Sequence, residues 1–217
     1  IGFGAQPGIL VGTQMLAKGH DLPNLTLVAV VGIDEGLFSA DFRAGEKLAQ
    51  LLIQVAGRAG RADKRGEVLL QTHHPEHPLL QTLIHGGYHT FADAELMQRE
   101  AAGFPPFAHI ALLRAEAPHA DAPIQFLHTA KALLLPYAQT KSRRGMQTTP
   151  GAGVQLDGPV PAPMPRRAGM HRAQLLLSSA QRRELHGALE AVLPTVYALP
   201  EARKVRWSLD VDPLDLY

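Results

Sequence analysis

Residues 54–61 read Q-x-x-G-R-x-G-R, with Gln54, Gly57, Arg58, Gly60 and Arg61 at the fixed positions. By chance such a coincidence arises on the order of once in a million starts. Leu48, Leu51, Leu52 and Val55 precede it at the i, i+3, i+4, i+7 spacing of an amphipathic helix. The motif therefore stands where that helix ends, with Gly57 and Gly60 closing it and allowing a tight turn. Two guanidiniums three residues apart then project from one edge. A guanidinium is always charged and forks onto phosphate oxygens. Two of them aimed at a γ-phosphate neutralise the charge that builds up during phosphoryl transfer. The alternative on spacing alone is a glycine-rich helix end with two solvated arginines.

A second segment, Gly12-Thr13-Gln14-Met15-Leu16-Ala17-Lys18-Gly19-His20-Asp21-Leu22-Pro23, follows the short apolar run Ile9–Gly12. Read as a strand, that run puts the segment where open α/β sheets bind ligands. Thr13, Lys18 and the backbone amides near Gly12 and Gly19 suit a sugar-phosphate backbone. Asp21 can accept a hydrogen bond from a ribose hydroxyl. Taken alone this is an ordinary polar loop; one strand and one helix ahead of the arginine motif, it is far more specific.

The elements that must position these residues alternate. Leu25–Val31 is apolar but for one Thr and rich in β-branched residues, the pattern of a strand buried on both faces of a parallel sheet. Asp41 is placed as the N-cap of the helix that leads into the motif. Gly66 precedes a strand over Glu67–Thr72, and Tyr88–Ala102 reads as a further helix. Strands alternating with helices predict an α/β layer with a parallel sheet. Gly103-Phe104-Pro105-Pro106 cannot continue a helix, so a domain boundary is placed between residues 102 and 103. Charge divides there too: residues 1–100 carry 8 basic and 11 acidic side chains, and residues 101–217 carry 13 and 9.

Beyond the boundary the pattern is that of a small α+β domain. Strands are predicted over Ala108–Ala115, Arg172–Leu177 and Val205–Val211, and helices over Asp121–Leu135 and Ala180–Leu193. Residues 139–153 are polar and rich in Gly and Thr, and are expected to be mobile. Val160–Pro165 is proline-rich and extended. In the last strand Val205, Trp207 and Leu209 share one face, expected to be the core.

Composition bounds the function. With 46% hydrophobic and 19% charged residues, the 217-residue chain folds into one or two domains. The net charge of +1 selects no class of partner. No apolar run approaches the ~20 residues of a membrane helix. No secretion signal opens the chain, and a cytoplasmic location is expected. The absence of Cys excludes disulfides and cysteine-bound zinc within this sequence. The chain begins at Ile1 rather than Met, and is expected to be a piece of a longer protein.

In this order and spacing, the two segments resemble motifs V and VI of superfamily 2 helicases. The stretches GTQMLAKGHDLPNLTLVAVVGID, LFSADFRAGEKLAQLLIQVAGRAGR and GEVLLQTHHPEHPLLQ resemble, in particular, the bacterial primosomal replication-restart helicases. The resemblance continues through GFPPF to RKVRWSLDVDP and covers nearly the whole chain. It implies a partial RecA-like helicase lobe with a parallel sheet over residues 1–102, and an α+β DNA- and partner-binding domain over 103–217. It implies an ATP-dependent 3′-to-5′ DNA helicase that recognises stalled or branched forks and starts primosome assembly. Gln54, Arg58 and Arg61 would face the triphosphate, with Arg61 the arginine finger and Gly57 and Gly19 beside the nucleotide. Asp21 would contact the ribose. Thr13, Lys18, Gly19 and His20 would couple DNA to nucleotide.

The cofactor implied is ATP with Mg²⁺, shared with a first lobe. The partners implied are branched and single-stranded DNA, the C-terminal tail of the single-stranded-DNA-binding protein, and other primosome proteins. Arg182 matches an arginine of the pocket for that tail, while His186 stands where the family carries Gln. The sequence has no G-x-x-x-x-G-K-[ST]; the nearest pattern, Gly12 to Lys18, lacks the spacing and the hydroxyl. The family's zinc-binding cysteines are also absent, so the chain is expected to start after that module. A non-catalytic adaptor for DNA or an acidic peptide is the alternative reading.

Other signals are weaker. His73, His74 and His77 offer metal-ligand chemistry, but Pro75 and Pro78 are expected to keep them off a regular helix, and a loop at a strand end is the preferred reading. Lys141 to Arg183 holds 8 basic residues and one acid, Asp157. No Phe, Tyr or Trp lies among them, so phosphate contact or a solvated surface is expected there rather than base stacking. Asp210 and Asp212 alternate along the last strand and are expected on a solvated face.

Overall fold

A computed structural model of the chain describes residues 8–13, 25–39, 41–57, 66–138 and 153–216. The chain divides into two compact units, Ile1–Glu95 and Leu96–Tyr217.

In the first unit, β1 (Leu27–Val30) and β2 (Glu67–Leu70) pair in parallel, with Leu27 opposite Glu67 and Val30 opposite Leu70. Parallel strands need a crossover between them. This one carries α1 (Asp34–Leu37) and α2 (Ala44–Ala56). The expected apolar stripe is the buried one: Leu48, Leu52 and Val55 of α2 point inward, and Leu48 and Leu52 join Ile33 and Leu80 in a small core. Val30 and Leu70 pack on it from the sheet.

Three expectations need correction here. First, β1 is not buried on both faces: Leu27 is 48% exposed, and Ala29 and Leu69 also face solvent. The small core lies on the Val30 and Leu70 side only, and among the described residues nothing covers the other. Second, Ile9–Gly12 forms no strand, and Ile9 and Val11 are exposed. No described strand pairs with that run, and an unpaired extended segment has no ladder to fix it. Third, Asp41 does not cap α2, which starts three residues later. Its buried carboxylate accepts the Arg43 N–H at 3.0 Å and pairs with Lys47 Nζ at 2.7 Å, shaping the turn that precedes the helix.

After β2 the chain forms α3 (Pro78–Gln81), a π-helical turn (Thr82–Gly86) and α4 (Gly87–Ala102). Pro78 opens α3 rather than preventing it, because the first turn needs no N–H from that residue. His77 supplies the cap, its Nδ1 accepting the Leu79 N–H at 3.3 Å.

The second unit is a four-stranded antiparallel sheet in the order β4-β5-β3-β6 with two helices. Its elements are β3 (His109–Ala117), α5 (Asp121–Leu134), β4 (Gln155–Arg167), β5 (Met170–Ser179), α6 (Arg182–Ala198) and β6 (Arg206–Val211). Strand β3 is central, with His109 opposite Ser179 on β5 and Ala111 opposite Val211 on β6. Alternate residues Ala111, Leu113 and Ala115 of β3, and Ala173, Leu175 and Leu177 of β5, enter one core with Phe126, Leu127 and Ala130 of α5 and Leu185, Ala188 and Val192 of α6. Trp207 packs on this core as expected, its ring centroid 5.6 Å from that of Phe126.

The alternation puts charge on the opposite face. Arg114 donates to Asp210 at 3.0 Å and to the Asp215 carbonyl at 2.9 Å. Glu116 lies between Arg206 at 3.1 Å and Arg172 at 3.9 Å. Asp210 is therefore an ion-pair partner rather than a freely solvated acid. Asp212 lies beyond β6 with φ of +54° and does not continue the strand.

The proline-rich segment is not merely extended. It pairs with β5 as the edge strand β4, with register shifts between Asp157 and Val160 and between Pro161 and Arg166. An edge tolerates proline because one side of it needs no donors. Residues 139–152 of the segment expected to be mobile lie outside the described residues. Gly153 is held: its N–H donates to Glu184 at 2.6 Å and its carbonyl accepts the Ser179 hydroxyl at 3.0 Å. Helix α6 runs past Pro194 to Ala198, five residues beyond its expected end.

Candidate functional site

The end of α2 carries what is described of the arginine motif. Leu48, Leu52 and Val55 fix which side of the helix is inward, so Gln54 and Gly57 are exposed at its C-terminal end. Gly57 is the C-cap, with φ −69° and ψ −7°, and donates its N–H to the Ile53 carbonyl at 2.9 Å. Gly57 thus closes the helix and stands in a turn, as expected, with right-handed backbone rather than a positive φ. Arg58, Gly60 and Arg61 lie outside the described residues, as do Lys18, Gly19, His20 and Asp21. Thr13 is described and exposed. The structure thus brings Gln54 and Gly57 together at one helix end and leaves their relation to the other candidates undescribed.

The loops that follow β1 and β2 are tied to each other. Asp34 accepts hydrogen bonds from the Thr72 hydroxyl and, at 3.1 Å, from the His73 N–H. These bonds, the Thr72 one foremost, hold its carboxyl below the usual carboxylate range. Gly32 donates to Gln71 Oε1 at 3.0 Å. Phe38 sits edge-on to His74 and His77, with ring centroids 4.7 and 5.5 Å apart. His77 is thus a helix cap and ring partner, and no group of His, Asp or Glu placed to hold a metal occurs among the described residues.

In the second unit Arg182 opens α6, 62% exposed, and lies 3.4 Å from the Asp212 carboxylate. His186 is half-buried one turn further on. The sequence places Asp212 on a solvated strand face; its pairing with Arg182 is set by its own left-handed backbone after β6, which no periodicity announces. Of the other basic residues in the run ending at Arg183, Arg166 and Arg167 are exposed at the end of β4, and Arg172 is engaged by Glu116.

Comparison with known proteins follows this division. Residues 3–63 match a helicase conserved C-terminal domain. Residues 100–214, more than half the chain, match the primosomal protein N C-terminal domain. The chain belongs to the PriA family. It is 51% identical over 208 residues to the replication restart protein PriA of Haemophilus influenzae, covering 96% of this chain and 27% of that protein. It is 35% identical over 205 residues to the PriA of Bacillus subtilis, covering 94% and 24%, and 36% identical over 208 residues to that of Synechocystis sp., covering 96% and 23%. The chain spans about a quarter of the length of these curated relatives.

Membership in PriA agrees with the family resemblance drawn from the two motifs, and the fold is the α/β unit followed by an α+β unit that it implied. Every residue proposed for nucleotide or DNA in the first unit, from Thr13 to Arg61, falls within the helicase match. Arg182 falls within the PriA C-terminal match. No helix among the described residues is long and apolar enough to cross a membrane.

Proposed function

We propose that the chain forms part of an ATP-dependent DNA helicase that works 3′ to 5′, recognises stalled or branched forks and starts primosome assembly in the cytoplasm. The observation that carries this is the Q-x-x-G-R-x-G-R motif inside a helicase match, on a helix whose end presents Gln54 and Gly57 to solvent.

In this reading residues 1–102 are the end of the second helicase lobe and form one wall of the nucleotide cleft. ATP binds with Mg²⁺ between that wall and a first lobe. A helix C-terminus carries a partial negative charge and does not itself attract phosphate. Recognition of the triphosphate therefore falls on the Gln54 amide and the guanidiniums of Arg58 and Arg61, with Gly57 leaving room beside it. Gly19 and Asp21 meet the nucleotide, and Thr13, Lys18 and His20 meet the DNA strand. The donor set, one amide and two guanidiniums, suits a polyanion.

Residues 103–217 are the DNA- and partner-binding domain. Arg182 receives the acidic tail of the single-stranded-DNA-binding protein, which must displace Asp212. An exposed pair of this kind is worth about 0–1 kcal/mol, so the exchange is cheap. The sequence carries no Cys, so it contributes no thiolate to a zinc site.

The test uses the complete protein and duplexes flanked by a single strand of either polarity. Unwinding is expected only with ATP and only when the protein translocates 3′ to 5′. ATP-dependent unwinding of the opposite polarity, or of neither, contradicts the reading. A second reading, a non-catalytic adaptor for DNA or an acidic peptide, is supported if the complete protein binds forked DNA without ATP-dependent unwinding.

A further inference from the structure

Helix α6 buries Leu185, Ala188, Leu189, Val192 and Val196. Tyr197, just off that stripe near the end of the helix, is 68% exposed. Its ring is nevertheless seated. The centroid lies 4.7 Å from that of Trp207 at an inclination of 53°, and Trp207 rests on Phe126, which is fully buried. Trp207, itself packed on Phe126, backs the tyrosine while most of its surface stays open.

The chain then turns tightly back into β6. Leu199 donates to the Val196 carbonyl at 3.2 Å, Ala202 to Leu199 at 3.1 Å, and Lys204 to Glu201 at 2.9 Å. Leu199, Ala202 and Val205 pack on the core, so this turn is anchored. It holds exposed Arg203 and Lys204 between the end of α6, which carries Tyr197, and the start of β6, which carries Trp207. Neither cation pairs with an acid among the described residues. Glu201, in the same turn, has its Oε2 buried, and Glu190 stands seven residues before Tyr197, about 10 Å along the helix. Arg206 alternates to the other face of the sheet and pairs with Glu116.

An open ring fixed in place, with two exposed cations in the anchored turn that follows it, offers what single strands bind: bases stack on the ring and phosphates meet the cations. An acidic peptide would use the cations but not the ring, and an intact duplex offers no open base face. We propose that Tyr197, seated on Trp207, stacks a base of single-stranded nucleic acid whose phosphates lie against Arg203 and Lys204. The proposal rests on the reading of the chain as part of a DNA-acting protein, and gives its second unit a single-strand contact distinct from Arg182.

The experiment titrates the 217-residue chain with fluorescein-labelled oligothymidylate and, separately, with a labelled forked duplex, reading anisotropy. Trp207, the sole tryptophan, reports contact at the ring by quenching. Tyr197→Leu is expected to weaken oligothymidylate binding about 5- to 100-fold, and Tyr197→Phe to retain it. The pair Arg203→Gln and Lys204→Gln is expected to lower the salt slope by about 1.4, at ~0.7 per phosphate. Matching urea midpoints show that the variants are folded. If the chain binds the fork but Tyr197→Leu binds both ligands like the unaltered chain, this proposal alone falls. If the unaltered chain binds neither ligand, the DNA reading of the chain falls with it.

Discussion

Arg61→Ala, made in the complete protein, is expected to lower kcat for DNA-stimulated ATP hydrolysis by about three orders of magnitude while leaving DNA affinity intact. An arginine finger acts on charge that develops only as the γ-phosphoryl group leaves, and is worth about 10³–10⁵ in rate. The loss therefore falls on kcat, with KM for ATP little changed, because an interaction made only in the transition state does not hold the ground state. Arg61→Lys restores little, since an ammonium cannot present the planar fork that a phosphoryl group meets. Steady-state ATPase alongside anisotropy on a forked DNA separates the two effects. Turnover near that of the unaltered protein would remove Arg61 from this role and leave the arginine motif as a solvated helix end.

The second large effect concerns stability. Phe126→Ala is expected to cost about 3–5 kcal/mol in the second unit. Phe126 is fully buried between α5 and the sheet, and its ring supports Trp207. Removing it leaves a cavity that the neighbouring Leu127 and Ala130, fixed on the same helix, cannot fill. The loss is a fifth or more of the ~5–15 kcal/mol that keeps a typical domain folded. Urea unfolding followed by Trp207 fluorescence measures it directly, and the folded emission should shift as the indole loses its buried neighbour. His128→Ala, on the exposed side of α5, is the control and is expected to change little. A cost for Phe126→Ala below about 1 kcal/mol would mean that the ring does not belong to the core.

Much of the fold was legible because its helices and strands have strong periods. The spacing of Leu48, Leu52 and Val55 located α2, and the alternation around Trp207 located β6 and its inward face. What escaped was set by tertiary context. Four prolines disguised β4, which a proline-tolerant sheet edge accommodates. Asp41 has the chemistry of a cap, but its carboxylate serves Arg43 and Lys47 in the preceding turn. The apolar run of β1 promised burial on both faces, whereas the core that receives it lies on one.

The candidate site was legible in a different way. The order and spacing of Gln54, Gly57, Arg58, Gly60 and Arg61 point to phosphate chemistry without reference to packing. The structure describes only Gln54 and Gly57 of that set, at the exposed end of α2. Arg182 was legible as a cation, but its pairing with Asp212 was not. Tyr197 stands apart in sequence from the basic run, and folding alone brings it onto Trp207.

On the proposed function, this chain supplies one wall of an ATP cleft whose phosphate cradle lies elsewhere. Its most direct test is the ATPase activity of the purified 217-residue chain, with single-stranded and forked DNA added in excess. No turnover above the buffer rate is predicted. Turnover that survives purification to homogeneity and is lost in Arg61→Ala would contradict the account, because it would mean that the chain holds a complete phosphate site of its own.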